Sequence, residues 1–182
     1  MNRRHRVRSL AVALALSLLP AAARSQTSPH ASEGGSVHLQ ASEPFSLGVM
    51  IGPAFDDPTS FKLRFDGSLA LARLSPHVRL DGVLSMGFSF SDLFRFDLAP
   101  AARFVFAVAR DVAAYADFGL GFSIRSYGAG SFGSGLIKLA GGIWYDLAPH
   151  WRVIAEPVGL NFYYAGGDEF VYTLLFGAAY RF

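Results

Sequence analysis

The sequence predicts an all-β fold, an eight-stranded antiparallel up-and-down β-barrel. From residue 43 to the end of the chain, large apolar residues alternate with small or polar ones, which is the period of a β-strand, and helical spacing fits none of these segments. Short breaks rich in Gly, Pro, Asp and Ser divide this alternation into eight segments. The composition, with 19 Gly, 17 Phe and 52% hydrophobic residues, suits strands and tight turns better than helices.

The eight segments differ in how clearly they alternate. The seventh is the weakest, because Pro157 and Ile154 disturb its period of two. In chain order, the apolar members of the segments are Phe45, Leu47, Val49 and Ile51; Phe61, Leu63, Phe65, Leu69 and Leu71; Val78, Leu80, Leu84, Met86, Phe88 and Phe90; Phe94, Phe96, Leu98, Phe104 and Phe106; Val112, Ala114, Ala116, Phe118, Leu120, Phe122 and Ile124; Ile137, Leu139, Ile143 and Tyr145; Trp151, Val153 and Ala155; and Tyr172, Leu174, Phe176, Ala178, Tyr180 and Phe182.

The breaks between segments are short, which predicts a meander of adjacent antiparallel strands. One end of the barrel is predicted to carry the breaks at 56–60, 91–93, 126–135 and 165–169, and the other end those at 73–76, 109–111 and 147–150. The break at 126–135 is the longest, and its glycines permit a wide, mobile hairpin.

The N-terminal residues predict export. A basic stretch ends at Ser9, an uncharged apolar run covers residues 10–19, and small residues follow Pro20, as in a cleaved secretory signal peptide. We expect cleavage after Ser25, with cleavage after Ala23 or a retained anchor as alternatives. Residues 26–42 are polar and rich in Gly and Ser, which predicts a flexible arm, and the barrel domain then covers residues 43–182.

Charge and cysteine content exclude several classes of function. The chain has no cysteine, which excludes disulfides, thiolate nucleophiles and Cys-based metal sites. Five of the 16 basic residues and none of the 14 acidic ones precede Gln26, so the exported chain has a formal charge of −3. The basic character of the full sequence therefore belongs to the signal segment, and nucleic-acid binding is not expected.

The polar faces of the strands are sparse and mixed in sign, which is typical of a filled barrel interior. Eight strands enclose a space only just wide enough for side chains, and charges buried there need partners. Asp81, Arg103 and Asp117 lie toward one end on three successive strands and are expected to interact. The predicted ion-pair network of the lumen comprises Lys62, Arg64, Asp66, Arg79, Asp81, Arg95, Asp97, Arg103, Asp117, Arg125, Arg152 and Glu156.

The apolar faces, by contrast, are too large for the interior. Several contain five to seven positions, many of them Phe, and that many rings would overfill an eight-stranded barrel. Facing lipid, they meet no such limit, and aromatic residues concentrate near the segment ends as in interfacial girdles. These aromatics are Phe55, Phe61, Phe90, Phe94, Phe96, Tyr145, Trp151, Tyr163, Tyr164, Phe170, Tyr180 and Phe182. The sequence therefore predicts a transmembrane barrel that contacts lipid.

Residues 43–182 resemble the small eight-stranded outer-membrane β-barrels of Gram-negative bacteria, the OmpA-, OmpX- and OmpW-like proteins. The ending Tyr180-Arg181-Phe182 resembles the C-terminal signal by which the outer-membrane insertion machinery recognises such barrels. The resemblance implies that Tyr180 and Phe182 form an assembly signal, that both termini are periplasmic, and that four loops lie outside the cell. Three of these loops are short here, which departs from barrels that bind partners through long loops.

Motifs that carry chemistry are weak in this chain. Residues 128–133 match the glycine pattern of a dinucleotide-binding turn, but an alternating segment follows instead of a helix. A hydrolase site is not expected at His77 or His150, because neither has a suitably placed Ser and acid. His30 and His38 lie in the polar arm, where solvated side chains are expected rather than metal ligands. The carboxylate pairs Asp56-Asp57 and Asp168-Glu169 are expected to be solvated loop charges. We therefore expect no catalytic residue, cofactor or metal.

Three functions remain open at this level. The first is a monomeric, non-enzymatic integral outer-membrane barrel with a structural or envelope-integrity role, its lumen closed by ion pairs. The second is a small channel for ions or apolar compounds, in which the lumen charges line a gated path or a proton relay. The third is a secreted or periplasmic lipocalin-like carrier, which would have the apolar face inside.

Overall fold

The structure, a computed structural model, describes residues 45–56, 59–91, 94–127, 130–165 and 168–182. They form eight antiparallel strands: β1 (Phe45–Phe55), β2 (Ser60–Ser75), β3 (Val78–Phe90), β4 (Phe94–Ala109), β5 (Val112–Tyr127), β6 (Gly130–Ala148), β7 (Trp151–Tyr164) and β8 (Glu169–Arg181). Each strand pairs with its neighbours in the chain, and β8 pairs with β1 to close the barrel. The predicted all-β, eight-stranded up-and-down fold is confirmed.

The predicted signal peptide and arm, residues 1–42, lie outside the described residues. Within the described part of the chain, no helix is long and apolar enough to cross a membrane.

The two ends of the barrel differ in their connections. Two-residue turns at 76–77, 110–111 and 149–150 lie at the end where the barrel also begins and finishes, which we call the termini end. There the Phe182 amide donates a hydrogen bond to the Phe45 carbonyl at 3.2 Å. The opposite end, called the loop end, holds the connections at 56–59, 91–93, 128–129 and 165–168.

The prediction of a hairpin at 126–135 holds, but the predicted length of its break is wrong. Strands β5 and β6 remain paired up to Tyr127 and Gly130, so most of this stretch is a regular hairpin. Gly128 lies outside the described residues, while Gly130 and Gly133 of the dinucleotide-like motif lie within β6. The stretch from Ser131 to Gly135 has no apolar period, so its strand conformation follows from the ladder that β5 extends rather than from side-chain pattern.

A β-bulge in β7 exchanges the two faces of that strand. The paired residues change from Glu156↔Leu175 to Gly159↔Thr173. Between these two pairs the chain advances three residues in β7 but only two in β8, so β7 contains one extra residue. Pro157 lies in the bulge, where its missing N–H removes no ladder hydrogen bond. The inward positions are therefore even-numbered before the bulge and odd-numbered after it, ending at Asn161 and Tyr163.

The outer wall is apolar around the whole barrel. Thirty-three large hydrophobic side chains of the described residues are exposed, from 37% at Met86 to 62% at Leu147. Among the described residues, the exposed charged side chains all lie within three positions of a turn or connection. They are Arg73, Arg110, Asp111 and Asp168. The strand midsections thus present hydrocarbon and no charge outward.

Apolar side chains also form two layers inside the lumen. One contains Met50, Val105, Tyr115, Trp144, Ile154 and Leu175, together with two alanines. The other contains Leu136, Tyr163, Val171 and two alanines, and lies nearer the loop end. Charged side chains contact both layers: Arg64 Nη2 lies 2.9 Å from the Met50 sulfur, and the Tyr163 hydroxyl donates to Asp97. Apolar and charged side chains together fill the interior.

Candidate functional site in the lumen

The structure places all twelve predicted lumen charges on the inward face of the wall. Ten are buried, with exposed fractions of 7% or less: Lys62, Arg64, Asp66, Asp81, Arg95, Asp97, Arg103, Asp117, Arg152 and Glu156. The other two, Arg79 and Arg125, lie nearer the ends of the barrel, and 15% of each side chain is exposed. They divide into three groups along the barrel axis.

The central cluster spans the lumen. Arg64 on β2 donates from Nη1 to Oε1 and from Nη2 to Oε2 of Glu156 on β7, each at 2.6 Å. This bidentate geometry is the strongest form of Arg–carboxylate pairing. The Nη2 atom of Arg64 also donates to Asp66 at 3.0 Å and lies 2.9 Å from the sulfur of Met50.

A second arginine in the central cluster pairs along the wall. Arg103 on β4 stands opposite Asp117 on β5, and its Nε and Nη2 each donate to that carboxylate at 2.7 Å. Arg103 Nη2 also reaches Asp66 at 3.3 Å. Lys138 on β6 donates to the Ser85 hydroxyl at 2.7 Å and lies 3.7 Å from Asp117. The cluster therefore contains three cations and three anions: Arg64, Arg103, Lys138, Asp66, Asp117 and Glu156.

Tyr115 links the central cluster to the apolar layer beside it. Its hydroxyl donates to Glu156 Oε2 at 2.9 Å, its ring stacks on Trp144 at 5.4 Å, and the Arg103 guanidinium lies 4.3 Å from its ring centre. Gly142 provides the room for this ring, since a Cβ there would lie 2.6 Å from the Tyr115 hydroxyl. The tyrosine thus completes the hydrogen bonding of a fully buried carboxylate.

The loop-end cluster is built around Tyr163. Lys62 lies 2.6 Å from Asp97, and the Tyr163 hydroxyl donates to the same carboxylate at 3.0 Å. The guanidinium carbons of Arg95 and Arg125 lie 4.5 and 5.1 Å from the centre of the Tyr163 ring. Guanidinium groups at this range from a ring face are attracted by its quadrupole.

Two carboxylates that were predicted to be solvated loop charges belong to this cluster instead. Glu169 accepts hydrogen bonds from Arg95 at 3.1 Å and forms an ion pair with Arg125. Asp56 lies 3.5 Å from Arg95 and accepts a hydrogen bond from Ser60 at 3.2 Å. Sequence alone misplaced them because both stand where a strand meets its connection, and only the closed barrel brings Arg95 within reach. Asp57 lies outside the described residues, and Asp168 is exposed as predicted.

The termini-end cluster corrects the expected contact among Asp81, Arg103 and Asp117. Asp81 stands opposite Arg103 in register, yet Arg79 binds it at 2.6 and 2.9 Å, while Arg103 turns to Asp117 and Asp66. Neighbours along one strand face therefore compete successfully with the partner across the ladder.

Asp146 joins two arginines at the same end. Its carboxylate lies 3.1 Å from Arg152 and 3.1 Å from Arg181. Arg152 also stacks over Trp144 at 4.3 Å, and Arg181 donates to the carbonyls of Ala148 and Pro149 at 3.2 and 2.6 Å. These contacts tie the last strand to the turn at 149–150.

Sequence reasoning missed several members of the network. Lys138 and Arg181 stand in phase with inward-facing small residues, so the period of two was sufficient to find them. Tyr163 was assigned to the outer aromatic girdle, but the structure buries it completely in the lumen. The β7 bulge moved it, and no periodicity argument that starts from Trp151 predicts that shift.

The two histidines of the barrel contact backbone groups, a serine hydroxyl and an aromatic ring. The ring Nδ1 of His150 lies 3.0 Å from the Arg181 carbonyl, and the ring stacks on Tyr180 at 5.6 Å. His77 contributes its backbone, which accepts a hydrogen bond from Ala107 and donates one to Ser75. No group of three or more metal-ligating side chains occurs among these residues.

The C-terminal aromatic residues lie on the outer wall at the termini end. Tyr180 contacts Trp151 and Phe182 with ring centres 5.1 and 5.0 Å apart, and Phe182 contacts Phe45 at 5.5 Å. Phe182 is 59% exposed. The arrangement joins both ends of the barrel chain in one aromatic cluster.

Neither a protein-family model nor a curated protein matches the chain. Several solved structures do. Neisserial surface protein A has a TM-score of 0.57 at 13% identity, covering 76% of this chain and 96% of that one. The outer-membrane enzyme PagL has a TM-score of 0.53 at 13% identity, with coverages of 74% and 97%. The N-terminal β-barrel domain of Pseudomonas aeruginosa OprF has a TM-score of 0.51 at 14% identity, with coverages of 75% and 97%. At these identities the likeness establishes the fold, which is that of the small eight-stranded outer-membrane barrels, as the sequence predicted.

Proposed function

We propose that this chain is an integral outer-membrane protein with a non-enzymatic, structural role in the envelope, and that its lumen is closed. The observation that carries the proposal is the reversal of a soluble protein's polarity: hydrocarbon outside, ion pairs inside. The largest apolar patch of a soluble monomer is usually about 300–600 Å². Here exposed Phe, Leu, Ile and Val side chains cover every strand of the wall, and only lipid satisfies such a surface.

Closure of the lumen is argued from the side chains that fill it. The charged clusters and the apolar side chains are in direct contact: Tyr115 donates to Glu156, and the Arg152 guanidinium stacks over Trp144. An ion that crosses would have to break the buried bidentate Arg64–Glu156 pair and give up its hydration among closely packed side chains. We therefore infer that the central cluster, and above all the ion pair between Arg64 and Glu156, stabilises the barrel from within.

The two alternatives are weaker on the same observations. A gated ion channel is favoured by the polar character of the lumen, but it requires the layers to move apart together. A lipocalin-like carrier needs an apolar cavity inside and a polar wall outside, and both faces are the reverse of this. The non-enzymatic assignment is supported by the partners of His77 and His150, which are backbone groups and a Ser75 hydroxyl rather than a Ser–His–acid arrangement.

Export and assembly complete the proposal. Residues 1–25 serve as the signal peptide and 26–42 as a periplasmic arm. The termini end then faces the periplasm, and the strand that carries Tyr180 and Phe182 is recognised by the insertion machinery. The protein acts as a monomer in contact with outer-membrane lipid.

One experiment tests the membrane assignment. The chain is expressed with its signal segment in a Gram-negative host, the membranes are separated, and the gel mobility of unheated and boiled samples is compared. We expect recovery in the outer-membrane fraction and a mobility shift on boiling. A protein that remains monodisperse in the periplasmic extract without detergent would exclude the proposal.

A second experiment tests closure. Purified wild-type protein is added to planar lipid bilayers at about neutral pH, and current is recorded. We expect no long-lived conducting state, whereas large, steady single-channel currents would favour the channel.

The envelope role is tested separately by comparing uptake of a hydrophobic dye in a strain that lacks the protein and in the same strain after complementation.

A further inference from the structure

Two arginines face each other at the loop end of the lumen. Arg95 on β4 and Arg125 on β5 are direct partners in the ladder, and both side chains point inward. Like charges directly opposite each other on one face of a sheet are destabilising. Both guanidinium groups also lie on the ring of Tyr163, at 4.5 and 5.1 Å, which holds them side by side. This arginine pair therefore requires an anion.

The chain supplies that anion from the other side of the barrel. Glu169, the first residue of β8, accepts from Arg95 Nη2 at 3.1 Å through both of its oxygens and forms an ion pair with Arg125. Its side chain is 25% exposed and that of Arg125 is 15% exposed, while the Lys62–Asp97 pair of the same cluster is only 4% and 6% exposed. The glutamate is thus the least buried member of the cluster.

The carboxylate leaves part of the site unused. The Nε atoms of Arg95 and Arg125 are buried and have no hydrogen-bond partner among the described residues. A carboxylate offers two oxygens, whereas a sulfate or a phosphate monoester offers three or four in a tetrahedral arrangement. Paired guanidinium groups on an aromatic platform match such an oxyanion in charge and in donor number.

We propose that Arg95, Arg125 and Tyr163 form a binding site for a tetrahedral oxyanion, phosphate or sulfate, and that Glu169 is its displaceable internal occupant. The ligand enters from the loop end, because Glu169 and Arg125, the least buried members of the site, lie there. The arginines face the lumen, whereas membrane lipid surrounds the outer wall. The ligand is therefore a free anion or a soluble molecule that carries a phosphate or sulfate group.

The charge balance of the loop-end cluster explains the role of Glu169. Lys62, Arg95 and Arg125 are matched by Asp56, Asp97 and Glu169. Glu169→Gln keeps the shape of the side chain, removes the competing charge and leaves the site with one surplus positive charge. In the wild type, phosphate must break the charged hydrogen bonds between Glu169 and Arg95. One such bond typically contributes a factor of about ten or more to an equilibrium constant, so the variant should bind inorganic phosphate roughly tenfold more tightly than the wild type.

The test uses full-length exported protein, folded in a maltoside detergent that contains no phosphate. Inorganic phosphate is titrated at constant ionic strength against chloride, and binding is measured by calorimetry and by the thermal unfolding midpoint. We expect saturable binding by wild type, tighter binding by Glu169→Gln, and loss of binding in Glu169→Gln/Arg125→Gln. The boiling-dependent gel shift confirms that each variant is folded.

Arg79→Gln is the matched control, because it removes an arginine from the opposite mouth of the barrel. It should bind phosphate like the wild type. Equal binding by Glu169→Gln and wild type, or equal loss of binding in Arg79→Gln and Glu169→Gln/Arg125→Gln, would overturn the proposal. A second arm uses nanodiscs with anionic lipid and no phosphate in the buffer. A response that depends on Arg125 only in this arm would identify a lipid headgroup as the ligand and also refute the free-anion site.

Discussion

Arg64 on β2 and Glu156 on β7 are joined across the lumen by two hydrogen bonds of 2.6 Å, although β1 and β8 separate their strands in the wall. The pair forms only when β8 has closed on β1, because an open sheet would hold the two side chains far apart. It therefore connects the local chemistry of the lumen to completion of the barrel, and it is the first contact to test.

Removal of one partner of this pair should be strongly destabilising. Glu156→Ala leaves the Arg64 guanidinium buried without its main counter-charge, and we expect a loss of about 3–5 kcal/mol in the free energy of unfolding. Urea unfolding of the lipid-reconstituted protein, followed by tryptophan fluorescence, measures this loss.

The double variant Arg64→Met/Glu156→Leu is the control, since it removes both charges and keeps apolar volume. It should recover most of the stability. A Glu156→Ala variant within about 1 kcal/mol of the wild type would show that the pair is not a structural element of the lumen.

A charge on the outer wall should be penalised according to its depth in the bilayer. Phe118 is 49% exposed in the midsection of β5, and Leu147 is 62% exposed beside the turn at 149–150. Phe118→Arg should lose about 2–4 kcal/mol of stability in a bilayer and Leu147→Arg about 0–1 kcal/mol. Equal effects of the two substitutions in the same unfolding assay would contradict the assignment of this wall to hydrocarbon.

Gly142 should tolerate no side chain. A Cβ at this position would lie 2.6 Å from both the Tyr115 hydroxyl and the Ala155 carbonyl oxygen, so Gly142→Ala must displace the tyrosine from Glu156. We expect a loss of about 1–3 kcal/mol, as for other overpacked interiors. Gly133→Ala is the matched control in the same strand, because its added Cβ would have no neighbour within 4 Å and should be nearly neutral. A near-neutral Gly142→Ala in the same unfolding assay would mean that Tyr115 is not held where the structure places it.

The apolar layer should contribute more to closure than any single charge does. Trp144 is 4% exposed and stacks on Tyr115 and beneath Arg152. Trp144→Ala leaves a large void and should raise the frequency of current bursts in planar bilayers, while Arg103→Ala should chiefly lower the thermal unfolding midpoint. The opposite pattern, with conduction in Arg103→Ala alone, would place the barrier to ions in the charges instead.

The sequence predicted the faces of the barrel well because the period of two is local. Successive side chains of any extended strand point to opposite sides, whatever the strand packs against. In β8 this rule assigns Leu175, Thr173 and Val171 to the interior and Phe176 to the outside, and the structure agrees. The same rule failed after Pro157, because a single inserted residue in β7 reverses the phase and buries Tyr163.

The sequence by itself determined that this chain is a barrel of alternating strands, with its bulky residues on one face and its charges on the other. Only the tertiary structure decided which charges meet. Arg103 forms its ion pair with Asp117 rather than with Asp81. Glu156 pairs with Arg64 across the lumen, and Glu169 and Asp56 pair with Arg95 inside the barrel. The physical reason is that a strand's covalent geometry sets the direction of each side chain, whereas the partner of a buried charge depends on closure, register and bulges, which join residues far apart in the chain.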